Sequence, residues 1–161
     1  MADAVAILKL RIIKGTNLAV RDLWTSDPYV VVRLGHQKVK TRVIKKNLNP
    51  LWDEELSLFV PQSQPRVLKL EVFDKDRLSR DDHMGNGEVD LRDLENAAGM
   101  LKTNPSQSLA LKNKEGSPCI KCVDGHVVQE VCLKLHNVES GQLDLHIKWV
   151  DLTDKSPILS S

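Results

Sequence analysis

The chain has 161 residues, of which 41% are hydrophobic and 28% charged, ordinary values for one globular domain that exclude disorder of the whole chain. Its formal net charge of +1 excludes a general attraction to polyanions, so we expect no nucleic-acid partner and look for local segregation of charge. No apolar run approaches the roughly 18 residues of a spanning helix, and the N-terminus lacks the basic start of a signal peptide. We therefore expect a single cytoplasmic domain over residues 1–161.

Short alternating or β-branched segments, each ended by turn residues, recur along the chain. The predicted strands cover residues 8–14, 29–34, 56–60, 68–73, 131–135 and 143–149. Many short strands at spacings of roughly 8–12 residues are typical of an antiparallel β-sandwich. The sequence therefore predicts an all-β fold.

One segment breaks this pattern. Its apolar residues are spaced as on one side of a helix, at Leu91, Leu94, Ala98 and Leu101. Residues 102–124 are richer in Asn, Pro, Ser, Gly and Lys, as in a loop. We interpret residues 91–124 as an insertion between two strands, part helix and part loop.

Six aspartates fall within residues 21–28 and 74–82, and each segment adjoins a predicted strand end. At one end of a sandwich these carboxylates would converge and repel by about 1 kcal/mol per pair in water, so they would need protons or cations. Ca²⁺ suits them because it takes 6–8 oxygen ligands in irregular geometry. The alternatives are aspartates that only cap turns, and a Mg²⁺ enzyme, although the chain has no P-loop, GxSxG or HExxH motif.

Five short motifs in three segments together resemble those of C2 domains. They are SDPYV at residues 26–30, KTRVI and NLNPLWDE within residues 40–54, and VFDKD and DHMG within residues 72–85. The resemblance implies an eight-stranded antiparallel C2 β-sandwich of type II topology, with calcium loops at one end. It implies about two bound Ca²⁺ ions, with side-chain ligands at Asp22, Asp27, Asp74, Asp76 and Asp82. It also implies main-chain carbonyl ligands at Arg21 and Lys75, and it leaves Asp81 facing solvent.

The same loops carry apolar and basic residues suited to an anionic membrane. Leu23, Trp24 and Leu78 are candidates for shallow insertion, unless Trp24 folds back and packs. Bound calcium would cancel most of the carboxylate charge and unmask nearby bases such as Arg21, which makes the loop end an electrostatic switch. Our candidates for lipid head-group binding, which could equally form an ordinary solvated sheet face, are Arg33, Lys38, Lys40, Arg42 and Arg77.

Cysteines and a histidine follow the insertion, at Cys119, Cys122, His126 and Cys132. Their spacing fits no common structural zinc site, so we favour reduced thiols over zinc.

Over nearly its full length the chain resembles the plant C2-domain abscisic-acid-related (CAR) family. The resemblance lies in LAVRD at residues 18–22, TRVIKK at 41–46 and the run over 131–152. It implies an adaptor, not an enzyme, that recruits abscisic acid receptors of the PYR/PYL type to the plasma membrane, with the nucleus as a second location. The alternative is a contact activator of Obg-like GTPases/ATPases. We expect a monomer whose insertion and C-terminal tail dock proteins.

Overall fold

The computed structural model describes residues 3–103 and 119–152, which contain nine strands and one helix. The strands are β1 (Ala4–Thr16), β2 (Pro28–Leu34), β3 (Gln37–Lys40), β4 (Leu51–Pro61), β5 (Val67–Asp74), β6 (Asp82–Asp90), β7 (Cys119–Val123), β8 (His126–Lys134) and β9 (Gln142–Asp151). The helix α1 (Arg92–Thr103) connects from β6 towards β7. Within these described ranges, no helix is long and apolar enough to cross a membrane.

The strands form two antiparallel sheets that enclose one apolar core. The five-stranded sheet has the order β4-β1-β9-β8-β7, and the four-stranded sheet has the order β3-β2-β5-β6. Alternation along each strand sends every second side chain inwards. Leu8 and Leu10 of β1, Leu70 of β5, and Leu145 and Ile147 of β9 are all fully buried. The predicted all-β antiparallel sandwich is thus confirmed, and all six predicted strands are present.

The count of nine strands, rather than eight, comes from the insertion. Its helical part is confirmed, because α1 buries Leu94, Ala97 and Ala98 against the core. The assignment of all of residues 102–124 to loop was wrong, since β7 pairs antiparallel with β8 over five residues. The intervening part of the insertion, residues 104–118, and the C-terminal tail from residue 153 lie outside the described residues.

The helix is anchored at its start by side chains from outside it. The Asp90 carboxylate accepts a hydrogen bond from the Arg92 amide at 2.9 Å, which satisfies one of the free N–H groups of the first turn. Arg66 donates to Glu95 of the same turn at 2.8 Å and also to the carbonyl of Pro61 at 2.7 Å. These bonds hold α1 across one end of the sandwich.

Strand direction brings the two aspartate segments together at the other end. β1 ends at Thr16 and β2 starts at Pro28, while β5 ends at Asp74 and β6 starts at Asp82. Since β2 and β5 are antiparallel neighbours with Pro28 opposite Asp74, both connecting loops emerge from the same edge. We call this edge the loop end.

Candidate metal centre at the loop end

Three aspartates from the two loops meet at the loop end. Asp22, Asp27 and Asp74 each offer a carboxylate oxygen, and these oxygens all lie within 4.8 Å of one another. Asp22 is exposed, Asp27 is half-buried, and Asp74 is only 1% exposed. Within the two described ranges, no other group of three or more acidic, histidine or cysteine side chains comes together in this way. The arrangement offers a hard cation several oxygen ligands at once.

Burial and neighbouring carboxylates perturb the pKa of Asp74. Burial raises its pKa from 3.8 to about 6, and repulsion from Asp22, Asp27 and Asp82 adds to the rise. A hydrogen bond of 2.7 Å from the Asp27 amide to its Oδ1 acts in the opposite direction. A buried carboxylate surrounded by three others is stabilised by a proton or by a cation. The electrostatics of this group of carboxylates therefore favour a bound cation such as Ca²⁺.

Backbone hydrogen bonds hold Asp27 between the two loops. Its Oδ1 accepts from the Lys46 amide at 2.7 Å, and its carbonyl accepts from the Lys75 amide at 2.9 Å. The neighbouring Ser26 is fully buried, and its hydroxyl donates to the Ala19 carbonyl at 2.8 Å. The β1–β2 and β5–β6 loops are thereby fixed relative to each other before any ligand binds.

Arg21 is held by a residue that the sequence did not single out. Its guanidinium donates two hydrogen bonds of 2.9 Å to the carboxylate of Glu139, which lies between β8 and β9. This pairing raises the pKa of Arg21 and lowers the pKa of Glu139 to about 2. Arg21 also donates to the His83 carbonyl at 3.2 Å. Arg21 thus already has a carboxylate partner outside the two aspartate loops, and its unmasking by calcium stays a prediction.

Asp82 lies beside the three-carboxylate group, whereas Asp76 follows Asp74 by two residues in sequence, and neither joins the group. Asp82 is exposed and sits directly opposite Asp74 across β5 and β6. Asp76 turns onto its own loop, where it accepts from the Leu78 amide at 3.0 Å and the Ser79 hydroxyl at 2.8 Å. Those bonds lower the pKa of Asp76, so it stays ionised. The role of Asp76 and Asp82 as calcium ligands stays a prediction.

Asp81 was expected to face solvent, and this was wrong. Its carboxylate accepts a short hydrogen bond from the Tyr29 hydroxyl and another of 2.9 Å from the Asp76 amide, and it lies 3.8 Å from the Lys75 ammonium. Partial burial acts to raise the pKa of Asp81, but these contacts outweigh it and lower the pKa. Burial and Asp81 together raise the pKa of Tyr29 to about 12. Asp81 thus ties the β5–β6 loop to β2.

The apolar loop residues point away from the protein. Leu23, Trp24 and Leu78 are 83%, 82% and 97% exposed, respectively. The alternative in which Trp24 folds back and packs does not occur. Three large apolar side chains therefore project from the loop end around the carboxylates, which is the arrangement that shallow insertion needs.

The residues predicted to bind lipid head groups differ in their contacts: some are exposed and others form ion pairs. Lys38 and Lys40 are exposed on one face of β3, and Arg77 is exposed beside Leu78. Arg33 pairs with Glu71 at 3.3 Å, and Arg42 pairs with Glu54 at 3.4 Å.

The three cysteines are free thiols, two half-buried and one exposed. Among the described residues they form no metal-binding group with His126. Contact with Asp144, together with burial, raises the pKa of the Cys132 thiol, which keeps it protonated.

Comparison with known proteins identifies the family that has this architecture. The C2 domain model matches residues 6–106. GTPase activating protein 1 of Oryza sativa subsp. japonica is 43% identical, over 94% of this chain and 96% of that protein. Protein C2-DOMAIN ABA-RELATED 4 of Arabidopsis thaliana is 42% identical, over 94% of this chain and 90% of that protein. The chain belongs to the C2-domain ABA-related family.

The chain is also similar to a longer relative and to a solved C2 structure. ADP-ribosylation factor GTPase-activating protein AGD12 of Arabidopsis thaliana is 44% identical over 94% of the chain, which spans 48% of that relative's length. The C2A domain of plant Extended Synaptotagmin 1 superposes with a TM-score of 0.66 at 24% identity, covering 94% of this chain and 98% of that one. The resemblance drawn from sequence motifs is confirmed, and so is the C2 fold.

Proposed function

We propose that this protein is a Ca²⁺-dependent phospholipid-binding adaptor that docks on the plasma membrane and brings partner proteins there. The observation that carries the proposal is the buried Asp74 carboxylate, held against Asp22 and Asp27 at the loop end. Burial and carboxylate repulsion together raise the Asp74 pKa, and a cation at this position would offset both. When bound, Ca²⁺ would neutralise the carboxylates and offer open coordination positions to lipid phosphate oxygens.

The chain's own residues would do the rest of the docking. Leu23, Trp24 and Leu78 would enter the interfacial region, each burying apolar area at about 25 cal/mol per Å². The exposed Arg77 and Arg80 flank Leu78 and would meet anionic head groups at roughly 1 kcal/mol each. We propose Asp76, Asp82 and the carbonyls of Arg21 and Lys75 as further ligands, since Asp82 repels the Asp74 carboxylate and the others lie within two residues of Asp22 or Asp74 in sequence.

The test combines calcium titration with liposome sedimentation. Calorimetry should show Ca²⁺ binding to the wild-type chain and its loss in Asp22→Ala. Sedimentation with phosphatidylserine-containing liposomes should require Ca²⁺ and should weaken about tenfold or more in Trp24→Ala. The matched control is Phe59→Ala, because Phe59 is 56% exposed but lies on β4 away from the loop end. No calcium uptake by the wild type, or equal loss in both tryptophan and phenylalanine variants, would contradict the proposal.

The partners belong to the proposal as well. We propose abscisic acid receptors of the PYR/PYL type as the recruited proteins, as the sequence resemblance implies, and the names of the relatives connect them with abscisic acid. Receptor co-sedimentation with liposomes should then require both Ca²⁺ and this protein. Receptor that stays in the supernatant while this protein sediments would remove that partner from the proposal.

A second candidate function comes from other relatives, whose names describe GTPase-activating proteins. This chain would then act on a nucleotide hydrolase, such as an Obg-like GTPase/ATPase, by contact rather than by its own catalysis. Addition of the protein should raise the turnover of that hydrolase at saturating nucleotide. Unchanged turnover would reject this candidate and leave the adaptor proposal untouched.

A further inference from the structure

The outer face of the five-stranded sheet places two lysines directly against each other. Lys9 of β1 and Lys148 of β9 are paired residues in the antiparallel ladder, and both are half-buried. Side chains at such positions are about 4.5–5.5 Å apart at Cβ, and like charges there are destabilising. Across the same row, Lys148 is opposite Val128, which is in turn opposite Lys121. We call Lys9, Lys148 and Lys121 the lysine row.

The acidic groups on this face are already used by other bases. The rows nearer the loop end contain Arg11, which pairs with Asp53 at 3.1 Å, and Lys14, which lies 3.9 Å from Asp144. Glu130 is 2.5 Å from the Lys121 ammonium. In the described part of the chain, neither Lys9 nor Lys148 has a carboxylate within 4.0 Å. The two lysines therefore form an uncompensated pair on a folded sheet.

An apolar row adjoins the lysine row on the side away from the loop end. Phe59 of β4 is opposite Ile7 of β1, which is opposite Val150 of β9. Phe59 is 56% exposed, and the other two are half-buried. Exposed aromatic side chains are enriched at protein-binding surfaces, and the adjoining lysines would select an acidic partner by charge complementarity.

We propose that this face docks an acidic segment of a partner protein, with carboxylates on Lys9 and Lys148 and an apolar side chain on the Phe59 row. This rests on the proposed adaptor function and supplies the surface that holds the recruited protein. Lys9 precedes Thr16, the last residue of β1, by roughly 20 Å of strand, which is well beyond a Debye length of about 8 Å. A membrane docked on Trp24 would leave this flank free for a protein.

The like-charge pair lowers stability, and a partner's carboxylates would relieve it. A residue choice that opposes folding is expected at a binding site. Replacing one lysine by glutamate would create an opposite-charge pair at the same position. Lys148→Glu should therefore raise the melting temperature while it abolishes docking, which separates a loss of binding from a loss of folding.

The test uses a fluorescent synthetic peptide of alternating glutamate and leucine residues, and a matched peptide with glutamine in place of glutamate. The wild-type chain should bind the acidic peptide, more weakly at higher salt, with NMR shifts at Lys9, Lys148 and Ile7. The double variant Lys9→Gln, Lys148→Gln should lose about tenfold or more in affinity. The control Lys69→Gln, on the outer face of the other sheet, should bind as the wild type does.

Three outcomes would overturn the proposal: no preference for the acidic peptide, shifts confined to another face, or wild-type affinity in the double variant. A concentration-dependent dimer that Lys148→Glu abolishes would make a second copy the occupant and would also overturn it. Calcium-dependent liposome sedimentation of the wild type distinguishes the two proposals, and the double variant should sediment as the wild type does. A wild type that sediments with Ca²⁺ but does not bind the acidic peptide refutes only this docking face, whereas a wild type that binds the peptide but does not sediment with Ca²⁺ refutes only the membrane function.

Discussion

Replacing Asp74 by asparagine should stabilise the calcium-free protein while it removes calcium binding. The Asp74 pKa rises from 3.8 to about 6 on folding. Each pKa unit corresponds to about 1.4 kcal/mol, so the ionised carboxylate opposes folding by about 3 kcal/mol at pH 8. The amide oxygen of the asparagine side chain can still accept from the Asp27 amide, now 2.7 Å from Asp74 Oδ1, although more weakly. We expect a net gain of about 1–3 kcal/mol in the free energy of unfolding.

The stability difference between the wild type and Asp74→Asn should depend on pH. A carboxyl whose folded pKa is raised binds its proton more tightly in the folded state, so its contribution to stability is full below pH 3.8 and is lost as the pH rises through about 6. The advantage of Asp74→Asn should therefore be full above pH 6, shrink as the pH falls, and vanish below about 3.8. Urea unfolding in EGTA at about pH 8 and about pH 4.5 measures it.

Calcium should reverse the order of the two proteins. Ligand at about a thousand times its dissociation constant stabilises the binding form by about 4.1 kcal/mol, which exceeds the expected gain of the variant, and only the wild type binds. The control Asp76→Asn should not stabilise, because Asp76 is ionised in favourable hydrogen bonds to Leu78 and Ser79. A calcium-free Asp74→Asn protein that is less stable than the wild type at about pH 8 would refute the reasoning.

Three further variants test the supports around the centre. Glu139→Gln should weaken Ca²⁺ binding by about two- to fivefold, because Arg21 loses its charged partner and its loop must be ordered on binding; calorimetry measures this, and unchanged affinity would contradict it. Tyr29→Phe should lower the free energy of unfolding by about 1 kcal/mol through loss of the bond to Asp81, which urea unfolding in EGTA would show or deny. Leu94→Ala should lower it by about 2–5 kcal/mol, since Leu94 is fully buried, with calcium affinity unchanged; a stable variant would mean that α1 is dispensable.

Local sequence predicted the sandwich because the alternation along each strand reflects its burial. Leu8 and Leu10 of β1, and Leu143, Leu145 and Ile147 of β9, alternate with polar residues, and this period of two survives in the folded sheet as inward and outward faces. The helix α1 was visible for the same reason, at a period near 3.6. β7 was missed because Cys-Ile-Lys-Cys-Val has no clear alternation of apolar and polar residues, and the segment forms a strand by pairing with β8.

The acidic segments could be recognised locally, but their division of roles could not. Spacing along the chain does not distinguish Asp74, which is buried in the three-carboxylate group, from Asp76, which caps its own loop. It gave Asp81 no structural role, whereas the hydroxyl of Tyr29, 52 residues away in sequence, holds it.

What the sequence determined by itself is therefore the fold class, the family and the two loops that could hold calcium. These follow from short-range periodicity and from motifs whose members lie within one loop or strand. Only the tertiary structure decided that Arg21 is paired with Glu139, 118 residues away, and that Lys9 faces Lys148 across β1 and β9. Such partners depend on strand order and register. A shift of register by one residue would turn each side chain to the other face.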